Sequence, residues 1–262
     1  MISALSLLRK AVRLLTDDPL LTVRVVAPCV ALMTAVGGVA VVAVPDLLRI
    51  RPGDVDLTVM GSGLLPGVLV GTFALSYALM AIAWHRHTLR DSHGARPLSL
   101  SLMGGYLWRV LLLAAVQLAV GLVLVVPLAL SGHAGGDAGG PALFSMAATT
   151  LAAQLVLLWL SLRLSLILPA AALGRPLTMR SSWGHTTQLA RPLWGVAAAL
   201  AALNMLFAGL LATLGLTQPA QIAAVELPAC ILEGMLIFSI VTVLYSVSVQ
   251  GQTPGQSSRQ IA

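Results

Sequence analysis

Glu226 and Glu233 stand seven residues apart in an otherwise apolar run, 223–249, with Cys230 between them. Seven residues is about two helical turns, so both carboxyls project from one helix face. Ionisable groups at membrane depth are costly and mark ion or proton pathways, so this stripe predicts a proton or cation relay. The competing reading places Glu226 at the water interface and bonds Glu233 to a neighbouring helix through Asn204. Arg163 interrupts another apolar run, 142–168, near its end. It reads either as an anion or headgroup contact or as a side chain that snorkels to the interface. Arg86, Arg90, Arg175, Arg180 and Trp183 are further candidates for contact with headgroups or anions. His85, His87 and His93 gather beside Arg86 and Arg90. One helix holds a metal with His ligands about three or four apart, and a spacing of two turns His85 and His87 to different sides. No metal and no cofactor is therefore expected. Gly63, Gly67 and Gly71 recur at fours, which lets helices pack closely within a bundle or between copies. No phosphate-cradling loop with lysine and no nucleophile elbow is present, so no catalytic residue is assigned and no enzyme is expected.

Six apolar runs must position these groups: 20–44, 64–84, 107–130, 142–168, 193–216 and 223–249. Each covers the roughly 20 residues a helix needs to cross the hydrocarbon core. The runs are continuously apolar rather than alternating, which excludes a transmembrane barrel. With 58% hydrophobic and 9% charged residues and a mean hydropathy of +0.95, the chain departs from soluble domains. Those carry about 25% charged residues. The fold class is all-α: a polytopic membrane bundle of six helices.

The charges orient it. Only Arg49 and Arg51 lie on one side of the runs; the other thirteen of the fifteen Lys and Arg residues lie on the other. Short basic loops stay cytoplasmic, so both termini are expected inside. The net charge of +6 is spread beside the membrane, where it meets anionic phospholipid headgroups rather than nucleic acid. Cys29 and Cys230 fall at different depths, too far apart for a disulfide, and read as inert buried thiols.

Residues 1–18 form their own element. Leu5, Leu8, Val12 and Leu15 recur at helical spacing opposite Ser6, Arg9, Lys10 and Arg13, predicting an amphipathic helix lying in the interface. Asp18 is a good N-cap and Pro19 suits the first position of the next helix. That helix reads as retained, not as a cleaved leader. Residues 19–249 form one six-helix membrane domain, and 250–262 a disordered cytoplasmic tail. The segment from Thr178 to Leu189 reads as a short surface helix with Trp183 at headgroup level. Arg96-Pro-Leu-Ser99 and Arg175-Pro-Leu-Thr178 share a step that hints at a duplicated helix-loop-helix unit. Pro28, Pro66, Pro169 and Pro228 fall near helix ends, where proline is ordinary.

Several stretches carry a family likeness: Arg163-Leu-Ser-Leu-Ile-Leu-Pro169, Arg175-Pro-Leu-Thr-Met-Arg-Ser-Ser-Trp183, Leu8-Arg-Lys-Ala-Val-Arg13 and Ala83-Trp-His-Arg-His-Thr-Leu89. Together they resemble a diffuse group of bacterial six-helix inner-membrane proteins. That group includes the membrane domain attached to some glycerophosphoryl diester phosphodiesterases and many uncharacterised stand-alone members. The likeness implies fold and membrane location, not phosphodiesterase activity, whose soluble barrel has no counterpart here. The expected function is an accessory, organising or regulatory component of a membrane complex or lipid environment, in contact with lipid and another membrane protein. The alternative is a secondary transporter or permease for a small or lipid-like solute, using Glu233 and Arg163.

Overall fold

The computed structural model describes residues 3–44, 64–89, 99–132 and 140–251. Arg49, Arg51, Gly63, Arg90, His93, Arg96 and the tail beyond residue 251 lie outside the described residues. Among the described residues the chain is helical, with no strand. α1 spans Ala4–Thr16, α2 Pro19–Ala43, α3 Leu64–Leu89, α4 Leu100–Gly132, α5 Gly140–Leu164 and α6 Ile167–Ala172. α7 spans Met179–His185, α8 Ala190–Leu214 and α9 Pro219–Ser248, with a 3-10 turn at Thr187–Leu189 before α8. Six helical stretches are long and apolar enough to cross a bilayer. The protein is thus a multi-pass integral membrane protein. Inside lipid each such helix pairs its backbone groups within its own segment.

Local chemistry sets the joints. The Asp18 carboxylate accepts from the Leu21 N–H at 3.0 Å and Pro19 begins α2, so α1 and α2 meet at a tight corner. The Ser99 hydroxyl accepts from the Leu102 N–H at 3.2 Å, and Thr178 accepts from Ser181 at 3.1 Å. The shared Arg-Pro-Leu-Ser/Thr step therefore ends in a helix cap in both places. The likeness stops there, since α4 runs 33 residues from its cap and α7 only 7. The third span starts at Leu100, ahead of the apolar run, because Ser99 starts the helix before its apolar part.

Pro28 and Pro228 lie inside α2 and α9 rather than at their ends, and both helices continue through them. Only Pro169 coincides with a break. It has no N–H to give the Ser165 carbonyl, which takes the Leu168 N–H at 2.9 Å instead, and the helix divides into α5 and α6. α6 ends at Ala172, and the turn after it runs through Gly174, whose φ of +74° only glycine adopts freely, with the Arg175 N–H closing on Ala170 O at 2.8 Å.

The helices form two groups. α2, α3 and α9 pack on one another, and α5 packs against α4 and α8. α6 touches α3, α4 and α9, while α1 packs on both α8 and α9, whose backbones stay largely apart. Buried residues gather toward one side of the bundle. In α9 they run from Gly234 to Ser246, and in α8 from Leu193 to Ala201. Those stretches share a core with Leu7 and Ala11 of α1. The fully buried face of α1 is therefore Leu7 and Ala11; of the stripe Leu5, Leu8, Val12 and Leu15, Leu8 and Leu15 pack partly against the cores while Leu5 and Val12 stay exposed, at 65% and 47%. Both faces are apolar, and the tertiary contacts choose the one with the small residue.

Candidate functional site

Arg163, in the last turn of α5, is buried rather than snorkelling, with 5% of its surface exposed. Its Nε donates to Thr186 Oγ1 at 3.2 Å, and its Nη2 to the Trp183 carbonyl at 2.9 Å and Thr187 Oγ1 at 3.3 Å. The guanidinium lies over the Trp183 ring, 3.6 Å from the centroid, and 5.2 Å from that of Trp159. Trp159 meets Trp183 edge-on at 5.7 Å and stacks on Trp194 at 4.9 Å, and its Nε1 donates to Ala190 O at 3.1 Å. The break near Pro169 also frees the Arg163 carbonyl, which accepts from Ser182 Oγ at 2.8 Å. Arginine suits this place because its planar fork stacks on rings and donates in several directions at once. The clamp ties α7 and the start of α8 to α5. Burial of the side chain, with Nε and Nη2 committed to the clamp, corrects the reading that Arg163 snorkels to the interface.

A second buried polar junction joins α3 to α9. His85 is fully buried, with Nδ1 2.8 Å from Thr242 Oγ1 and its ring edge-on to Phe238 at 5.9 Å. The Thr242 hydroxyl donates its one hydrogen to Phe238 O at 2.8 Å. Thr242 therefore accepts from His85, which fixes the proton on Nδ1 and leaves Nε2 as a buried lone pair without a partner. Thr242→Val should leave the His85 N–H unpaired as well and cost about 2 kcal/mol. Thr242→Ser should retain most of the stability. Thermal unfolding in detergent reads this directly, and a Val variant as stable as the Ser variant would refute the bond's contribution.

Glu226 and Cys230 are exposed and Glu233 is half-buried, on a face of α9 turned from the Thr242 contact. Glu233 is the fifteenth of thirty residues in α9, about 21 Å from its start at about 1.5 Å per residue. The half-buried Asn204 of α8 lies beside it. Cys29 and Cys230 are free thiols, and Cys230 is exposed rather than buried. Arg86 donates to Ala172 O at 3.0 Å, capping the end of α6. Arg175 and Arg180 are exposed, and Trp183 keeps 40% of its surface outside the clamp. A Cβ at Gly67 or Gly71 would meet no heavy atom within 4 Å, so these two glycines bring no helices together inside the bundle. The tight glycines are Gly195, against Ala4, and Gly234, against Tyr77. Among the described residues no group of three or more His, Cys, Asp or Glu side chains gathers to hold a metal.

No family model, curated protein or solved structure matches this chain. The likeness to the six-helix group therefore stands on the quoted motifs alone.

Proposed function

We propose that this protein is a non-enzymatic accessory or organising component of the bacterial cytoplasmic membrane, with both termini inside. The observation that carries the reading is how the buried Arg163 and His85 and the half-buried Arg86 are used. Arg163 is spent on the α5–α7–α8 clamp, Arg86 reaches the Ala172 carbonyl, and His85 bonds Thr242. These contacts hold helices to one another at the side where the core is densest. That supports a scaffold and weighs against a moving carrier, which needs polar lining or broken helices near the midplane. The basic exposed residues Arg9, Arg13, Arg180 and Arg191 are on the side that the charge rule places inside, where anionic lipid meets them. The exposed Glu226 and Cys230 are left for another membrane protein.

One observation favours a carrier: Glu233 sits half-buried at mid-helix beside Asn204. The two readings separate in proteoliposomes loaded with a pH-sensitive dye. An accessory protein should give the same proton leak as its Glu233→Gln variant under an imposed gradient. A proton flux carried by the wild type and lost in the variant would establish transport instead.

A further inference from the structure

We propose that α1 is a strut whose docking between α8 and α9 depends on the charge of the lipid surface beside it. This rests on the inner-face assignment above and adds to it a binding surface and its ligand, the phosphate of anionic phospholipids. The helix divides into three strips. Leu7 and Ala11 are buried against α8 and α9. Leu5 and Val12 are exposed, at 65% and 47%. Arg9 and Arg13 are exposed, with Lys10 half-buried among them. A helix buried on one strip, apolar on the second and cationic on the third fits a boundary between protein, acyl chains and headgroups.

The electrostatics need an outside partner. The acids nearest in sequence are Asp17 and Asp18, and Asp18 is committed to the cap of α2. Burial lowers the Lys10 ammonium from its ordinary range, so a neighbouring phosphate would stabilise its charged form. The seat is also narrow. A Cβ on Gly195 would stand 2.7 Å from the Ala4 Cβ, so α1 approaches α8 as closely as a glycine permits. Because α8 and α9 share few backbone contacts of their own, α1 is the element bridging them at this end. Lipid charge that holds α1 down then holds α8 to α9.

The test is hydrogen exchange of the α1 amides in vesicles of phosphatidylcholine alone or mixed with phosphatidylglycerol. Exchange should slow by about fivefold for each basic residue engaged when the anionic lipid is present. The triple variant Arg9→Gln, Lys10→Gln, Arg13→Gln should exchange alike in both vesicles. Exchange indifferent to lipid charge in the wild type would overturn the proposal, as would full protection supplied by inorganic phosphate in phosphatidylcholine. Neither result bears on proton flux through Glu233, so the strut and the accessory reading fail separately.

Discussion

Arg163→Ala is expected to detach α7 from the bundle and to lower stability by about 3 kcal/mol. Bonds to a charged donor are worth about 1.5–3 kcal/mol each, and a guanidinium over an indole adds about 1 kcal/mol. The loss does not sum these values, because the vacated site relaxes and α7 can turn its hydroxyls to water. Arg163→Lys should recover less than half of the loss. Its ammonium keeps the charge but cannot both stack on Trp183 and donate sideways to Thr186 and the Trp183 carbonyl. Two measurements check this: thermal unfolding in detergent, and trypsin cleavage after Arg175 and Arg180, which flank Met179 at the start of α7. If the alanine variant unfolds at the wild-type temperature with an unchanged cleavage pattern, the clamp has no role in holding α7.

The clamp shows where sequence reading stops. The short helix and the exposure of Trp183 are legible in the polar pattern after the Arg-Pro-Leu-Thr step. The charge in α5 is legible too, and the obvious rule for a terminal arginine sends it to water. What overrides the rule is a set of neutral partners about twenty residues downstream: two threonine hydroxyls, one carbonyl and an indole face. None has a spacing that advertises it. The carbonyl is offered only because the chain folds back after Gly174. His85 and Thr242 lie 157 residues apart and meet only because α3 and α9 pack.

The spans themselves were the readable part, since hydropathy and length alone define them. Asp18 and Pro19 place the corner before α2 by chemistry that acts over three residues. The face of α1 was not readable in the same way. Leu5/Val12 and Leu7/Ala11 both recur at helical spacing, and a helix with two apolar strips does not say which one meets protein. The answer comes from Gly195, where the missing Cβ admits Ala4. The glycines misled for a related reason: Gly67 and Gly71 have the right period but face open space, while the isolated Gly195 and Gly234 make the close approaches.

Gly234→Ala should therefore be the most disruptive single-methyl change in the membrane part of the chain. A Cβ there would overlap the Tyr77 hydroxyl and stand 2.7 and 2.8 Å from two of its ring carbons. Tyr77 cannot swing aside freely, because its ring also packs edge-on against Phe238 at 5.1 Å. Overfilling such a contact costs about 2 kcal/mol through displaced side chains and backbone. Tyr77→Leu removes the obstruction but gives up the contact with Phe238, so on its own it should destabilise moderately. In the Gly234→Ala background the same change should restore stability, making the pair strongly non-additive in a double-mutant cycle. Additive losses would mean that the glycine is tolerated there for some reason other than the tyrosine, and that α3 and α9 are held by the rest of their interface.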